Sequence, residues 1–231
     1  MSSRAISKTV VKRLPVYLRI LDNLILRDVE IVSSRELSLE SGFSAEQIRK
    51  DLAYFGAFGT RGTGYNAVFL RDKLLEIIGL DKKTRVIVIG AGHLGKALTR
   101  HNMQKNPYVD IIAVFDRDRA VIGQEIGKIR VLPFEQVSAV IREQKIKVAL
   151  IAVTASSAQM VVDEIVRHGV TAILNFAPVK LDVPEGVHVQ DSDLTIDLQS
   201  LIYYSTAEEE RLSRLQKRSA ESRSQKMLEL E

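Results

Sequence analysis

Apolar residues follow two rhythms along this chain, and the change of rhythm divides it. In the first part Leu14, Tyr17, Leu18, Leu21, Leu24 and Ile25 recur at three- and four-residue intervals, which places them on one helix face. Pro15 suits a helix only in its first turn, where no backbone N–H is required, so the spacing predicts a helix over 15–27. Ser33 with Glu36 forms a capping-box pattern for a short helix ending at Gly42, and Ser44 with Gln47 repeats it for a third helix running to about Phe55. In that helix Ile48, Leu52 and Phe55 share the core face, while Gln47, Arg49 and Lys50 point away from it. Residues 56–66 make a glycine-rich hairpin or loop with Arg61 at its tip, and 70–80 a further helix.

From Val86 onward short apolar runs take over. Strands are predicted over 86–89, 111–115, 130–132, 148–153, 172–176 and 187–190, with helices starting near His93 and covering 133–144 and 156–168. This alternation implies a mostly parallel sheet covered on both faces, with right-handed crossovers. Leu194, Leu198, Leu201 and Ile202 open a last amphipathic helix, and beyond about Arg214 the charged tail is expected to fray. The expected fold is α/β: a winged helix-turn-helix over 1–81, a Rossmann-like doubly wound parallel sheet over 82–193, and a C-terminal amphipathic helix and charged tail over 194–231.

Chemistry enters at the first long strand. Gly90-Ala91-Gly92-His93-Leu94-Gly95 follows it directly, and Asp116 ends the next strand. Gly90 permits the tight turn, Gly92 lets backbone approach a pyrophosphate, and Gly95 allows helix and strand to pack closely. The pyrophosphate would rest on the N–H groups and positive dipole end of the helix beginning near His93. Asp116 stands where a ribose diol would be held, and its charge would repel a 2′-phosphate; Arg117 and Arg119 weaken that second inference. In the N-terminal part, Gln47 and Arg49 suit base edges, and Lys50 and the helix N-terminus suit phosphates. Arg61 between glycines suits a minor groove. Candidate DNA contacts are therefore Arg13, Ser44, Gln47, Arg49, Lys50, Arg61, Gly62 and Tyr65.

Composition narrows the classes. A chain of 231 residues with 45% hydrophobic content can bury two small cores. Its 33 basic and 29 acidic residues nearly cancel to +4, so the distribution matters more than the sum: Arg4, Lys8, Lys12, Arg13 and Arg19 all precede the first acid, Asp22. Zero cysteines exclude disulfides, zinc–thiolate sites and thiol-based sensing, leaving a bound cofactor as the route to a redox response. No apolar run reaches the ~20 residues of a membrane span, and the first residues lack a signal peptide's apolar core, so a cytoplasmic protein is expected.

Several strings together resemble one known family. Arg13-Leu14-Pro15 with Tyr17-Leu18-Arg19, Val32-Ser33-Ser34, the run from Gln47 to Leu52, Tyr54-Phe55-Gly56, Gly62-Thr63-Gly64-Tyr65, the run Gly90 to Gly95, Phe115-Asp116 and Asn175-Phe176-Ala177-Pro178-Val179 are similar to those of the Rex family of redox-sensing transcriptional repressors. The resemblance runs from about Ala5 to Leu201. It implies a homodimer that binds a palindromic operator DNA through its winged helices, binds NADH or NAD+ in its dinucleotide domains, and leaves DNA when NADH is high. It also implies exchange of the C-terminal helix between subunits.

The expected cofactor contacts are Gly90, Ala91, Gly92, His93, Leu94, Gly95, Asp116, Thr154, Phe176, Ala177 and Pro178, the last three lining an apolar niche that disfavours the cationic oxidised ring. His93, His101 and Thr154-Ala155 depart from the family pattern, and the histidines read equally as exposed helix residues or as parts of the sensor. No catalytic set is discernible, so a regulator rather than an enzyme is expected. The alternatives are a small NAD-dependent oxidoreductase, or a regulator of another nucleotide such as coenzyme A.

Overall fold

The computed structural model describes residues 6–56, 58–60 and 62–228. The chain forms two compact units, Met1–Thr84 with Asn106–Asp110, and Arg85–Lys105 with Ile111–Glu231.

The first unit opens with α1 (Lys8–Ile25), whose N-cap Ser7 accepts a hydrogen bond from the Val10 N–H. This helix begins a full two turns earlier than its proline suggests, so Pro15 lies in its interior. An interior proline removes one backbone bond and crowds the carbonyl four residues back. Here Pro15 faces solvent, while Leu14, Tyr17, Leu18, Leu21 and Leu24 are buried beside it. Burial of that stripe outweighs the local penalty, as tertiary packing commonly overrides propensity.

Next come β1 (Ile31–Val32), α2 (Ser34–Ser41) and α3 (Ala45–Ala53). The capping box at Ser33 is complete, since its hydroxyl accepts from the Glu36 N–H and the Glu36 carboxylate accepts from the Ser33 N–H. Gly42 ends α2 in the left-handed conformation at φ 73°. Ser44 caps α3 through the Gln47 N–H, but the Gln47 side chain turns to Asp51.

The glycine-rich segment is a hairpin of β2 (Gly59–Thr60) and β3 (Gly64–Asn66), and β3 also pairs antiparallel with β1 to give the sheet order β1-β3-β2. Asn66 then caps α4 (Ala67–Ile78) by accepting from the Phe69 N–H. Leu70 and Leu74 of α4 join Leu14, Tyr17, Leu21, Leu37, Ile48 and Leu52 in one core. Three helices closed by a small antiparallel hairpin make a winged helix-turn-helix.

The second unit is a seven-stranded sheet. Its strands are β4 (Thr84–Ile89), β5 (Val109–Asp116), β6 (Glu125–Ile126), β7 (Ile129–Pro133), β8 (Val148–Ile151), β9 (Ala172–Asn175) and β10 (His188–Asp191), in the order β10-β9-β8-β4-β5-β7-β6. The pairs β4–β8, β8–β9, β9–β10 and β5–β7 are parallel, and β6 runs antiparallel to β7. Helices α5 (His93–Lys105), α6 (Val137–Gln144) and α7 (Ala155–Arg167) provide the crossovers. The chain order reverses direction between β4 and β8, which puts the switch point of a doubly wound sheet at the carboxyl end of β4. Ile87, Ile89, Phe115, Ala149 and Ile151 are buried with Val161, Val162 and Ile165 of α7.

The last helix, α8 (Leu194–Leu228), continues well past the point where fraying is expected. No glycine or proline interrupts it, and Glu208–Arg211 and Glu210–Arg214 pair along its surface. Its apolar stripe is open among the described residues: Leu194, Leu198, Leu201 and Ile202 are all more than half exposed.

Candidate nucleotide site and nucleic-acid interface

The loop between β4 and α5 has the geometry of a phosphate cradle. Gly90 sits at φ 103°, and a Cβ there would clash with the Ala152 carbonyl oxygen. Gly95, in the first turn of α5, comes closer still, since a Cβ would fall within bonding distance of the Gly90 carbonyl oxygen. Those two glycines are needed for the fold itself. Gly92 differs: a Cβ built on it meets nothing within 4 Å, so its bare backbone faces open space. That is the surface a pyrophosphate would occupy, over the N-terminus of a 13-residue helix. His93 and Leu94, at the same turn, are exposed, and so is His101 farther along α5.

Asp116 closes the cradle. Its Oδ2 accepts from the Ala91 N–H at 2.5 Å, and its Oδ1 accepts from the Arg117 and Asp118 N–H groups at 2.7 and 2.9 Å. The carboxylate thus holds the glycine loop and keeps one acceptor position, on Oδ2, for a hydroxyl. A cavity of about 240 Å³ opens here, lined among others by Gly90, Gly92, Asp116, Phe134, Val153 and Thr154. Arg117 lines the same cavity, its guanidinium 4.6 Å from the centroid of the Phe134 ring and its Nη1 3.2 Å from the Met160 sulfur. Thr154 is also the N-cap residue of α7. These residues fit the ribose and pyrophosphate of a dinucleotide.

Phe176, Ala177 and Pro178 do not line that cavity. They form the turn after β9, which lies two strands from β4 and therefore about 10 Å away. Phe176 is half-buried, Ala177 buried and Pro178 exposed. Asn175, to which sequence reasoning assigned no role, builds this turn: its Nδ2 donates to the Ala177 and Val179 carbonyls and to Asp191, and its Oδ1 accepts from the Ala177 N–H. The available signal was a lone amide closing an apolar strand.

In the winged helix, α3 leaves Arg49 and Lys50 exposed on its outer side, whereas Gln47, expected there too, is half-buried and turns its amide inward to the buried Asp51. Arg49 Nη1 donates to Ser34 Oγ at 2.8 Å, tying the helix to the start of α2. Beside it a cleft of about 610 Å³ runs between α3 and the hairpin, lined by Arg49, Gly62 and Tyr65 among others. Arg61 lies outside the described residues.

Arg13 has a different place from the one expected of a DNA contact. Its Nε and Nη2 donate to the two oxygens of Asp51 at 2.6 and 2.7 Å, inside the domain, and its side chain is only 13% exposed. Tyr17 and Gln47 also donate to that carboxylate. Burial pushes the Asp51 carboxyl upward, but the hydrogen bonds from Arg13, Tyr17 and Gln47 outweigh it and hold the group below the ordinary carboxylate range. Burial and then the bond to Asp51 push the Tyr17 phenol well above its ordinary value.

Comparison with known proteins brings the two units together. A family described as "Putative DNA-binding protein N-terminus" matches residues 5–53, and one described as "CoA binding domain" matches residues 81–179. The "Redox-sensing transcriptional repressor Rex" of Natranaerobius thermophilus is 54% identical over 200 residues, covering 87% of this chain and 91% of the relative. The chain belongs to the Rex family.

Another Rex, from Carboxydothermus hydrogenoformans, is 42% identical over 86% of this chain and 95% of its own length. Among solved structures, the Rex-family repressor RSP in complex with beta-NAD+ and operator DNA matches with a TM-score of 0.83 at 37% identity, over 93% of this chain and 98% of that one. RSP in complex with beta-NADH matches with a TM-score of 0.80 at 36% identity, over 92% of this chain and all of that one. The Rex architecture, a DNA-binding N-terminal domain joined to a Rossmann-like sheet, is the one this chain adopts.

Proposed function

We propose that this protein is a redox-sensing transcriptional repressor, which binds operator DNA as a homodimer and releases it when NADH is high relative to NAD+. The observation that carries the proposal is the cradle of Gly92 and Asp116, open to a dinucleotide, in a chain that also carries an exposed α3 bearing Arg49 and Lys50. RSP, a relative of matching fold, was crystallised with beta-NAD+ and operator DNA and with beta-NADH.

Gly90, Ala91, Gly92 and the first turn of α5 bind the pyrophosphate, and Asp116 takes a ribose hydroxyl. These contacts are common to both redox forms and cannot bias the protein between two states. Discrimination falls to the other end of the dinucleotide, where Phe176, Ala177 and Pro178 offer an apolar surface. NADH brings a neutral ring to that surface where NAD+ brings a cationic one, and desolvation there disfavours the charge. Asp116 favours NAD(H) over its 2′-phosphorylated counterpart, because its carboxylate would repel the added phosphate.

On the DNA side, Lys50 and the α3 N-terminus at Ser44 grip phosphate, and Gln47 and Arg49 face base edges. The wing residues Gly62 and Tyr65 flank the backbone. The exposed apolar stripe of α8 supports assembly with a second copy, which a palindromic operator requires. A repressor role places the protein in the cytoplasm. No helix among the described residues is long and apolar enough to cross a membrane.

Paired substitutions test the assignment. Arg49→Ala should weaken operator binding at least tenfold while leaving NADH affinity unchanged. Gly92→Val should abolish NADH binding while leaving operator binding intact. Intact NADH binding in Gly92→Val would show that the cradle is assigned to the wrong loop.

A further inference from the structure

Asn175 ends β9 and is 1% exposed, a polar side chain closed into the second unit. A buried amide has to be hydrogen-bonded, and its nitrogen carries only two hydrogens. Three acceptors surround Nδ2: the Ala177 carbonyl at 3.2 Å, the Val179 carbonyl at 3.0 Å and Asp191 Oδ1 at 2.9 Å. Two hydrogens cannot serve three acceptors fully, so what one gains another loses.

The three acceptors belong to two places. Two are carbonyls of the turn after β9, and the third ends β10, where Asp191 stands in register with Asn175 across the parallel strands. Asp191 is exposed, so water replaces the amide at its carboxylate at little cost, whereas a turn carbonyl left without a donor is penalised. The bond to Asp191 is therefore the one that yields first.

What that bond holds is the root of α8. The Ser192 N–H donates to the Asn175 carbonyl at 2.8 Å, and Asp193 caps α8 by accepting from the Thr195 and Ile196 N–H groups at 2.9 and 3.2 Å. The cap follows directly on Ser192, so there is no slack between Asn175 and the helix.

Resting on the assignment of 176–178 to the nicotinamide end and of α8 to the dimer, we propose that Asn175 and Asp191 are positioning residues which couple the two. A ring seated on Phe176, Ala177 and Pro178 shifts the turn carbonyls relative to Nδ2, and the hydrogen bonding left for Asp191 changes with them. The α8 root is held in one state and released in the other. The two redox forms differ only in that ring, so the junction passes their difference to the dimer helix.

The test uses the full chain and a labelled duplex that it selects from random sequence, at fixed salt. Its readout is the coupling ratio, the operator Kd at saturating NADH divided by the Kd without ligand. Asp191→Ala removes the third acceptor and leaves two hydrogens for two turn carbonyls, so the turn stays satisfied and NADH affinity should stay near that of wild type. The coupling ratio should nevertheless fall about fivefold or more. Asp191→Asn keeps an acceptor oxygen in the same place and should retain the wild-type ratio, because a hydrogen bond rather than a charge holds the junction.

A wild-type ratio in Asp191→Ala would overturn the proposal, and so would an equal loss in Asp191→Asn. If NADH and NAD+ act alike on operator binding by the unsubstituted protein, the sensor assignment fails and takes this link with it. If they differ, and Asp191→Ala distinguishes them just as well, only the link fails. A second readout needs no variant: in the unsubstituted protein, amide hydrogen exchange of peptides spanning 190–196 should differ about threefold or more between the NADH and NAD+ complexes. Equal exchange in both complexes would also overturn the proposal.

Discussion

Asp51 and Asp116 are carboxylates put to opposite uses. Asp51 accepts from three side chains and has no position left over, whereas Asp116 accepts three backbone N–H groups and keeps a position for ligand. The first is a fixed strut within the winged helix. Because its folded pKa lies below the unfolded one, its stabilisation is fully present above about pH 4 and is lost as pH falls through the lower, folded value. Asp51→Asn should therefore cost about 3–5 kcal/mol at neutral pH, and the difference from wild type should shrink in urea melts taken toward about pH 2. A constant difference across that range would mean that the charge of Asp51 is not what stabilises the domain. Neither role was fully legible beforehand. Asp116 follows a recognisable glycine loop, but a charged residue at position 51 reads as solvent-facing until Arg13 and Tyr17, more than thirty residues earlier, are known to meet it.

Elements whose signals were local and repeated were readable in the chain, and those decided by distant packing were not. The capping box at Ser33, the glycine stop at 42 and the strands flanking Gly90 come from short-range chemistry, and the structure has each of them. The two-residue strands β1 and β6 are too short to show a period. The start of α1 was hidden by Pro15, because the rule confining proline to a first turn is local while the buried stripe that overrides it is tertiary. Pro15→Ala should consequently stabilise the winged helix by about 2 kcal/mol, since the side chain is exposed and its removal restores a helical bond. An unchanged melting temperature would mean that the helix already accommodates the proline. The tail departs from expectation for a related reason: a run of charge resembles disorder, yet Glu–Arg pairs and the absence of glycine or proline carry α8 to Leu228. On that helix, Leu198→Glu with Leu201→Glu should raise the dimer dissociation constant about a hundredfold or more by light scattering, with helical content retained, because both residues are more than half exposed. A dimer of undiminished affinity would place the interface elsewhere.

At the scale of the whole molecule, two units with separate cores must exchange free energy if a dinucleotide is to govern DNA binding. The effector can shift the DNA-competent population only by its difference in affinity for two states of the dimer, and each tenfold change in operator binding needs about 1.4 kcal/mol of such difference. Under the proposed assignment, contacts common to both redox forms at Gly92 and Asp116 contribute affinity without bias, and the difference arises at the nicotinamide end, assigned to the turn that Asn175 holds after β9. By linkage, operator DNA must lower NADH affinity by the same factor by which NADH lowers operator affinity. The most direct test is the fluorescence anisotropy of a labelled operator duplex held half-saturated with the protein at fixed salt and titrated in parallel with NADH and NAD+. The account predicts that NADH releases the duplex at concentrations where NAD+ leaves it bound; equal release by both forms, or release by neither, would contradict it.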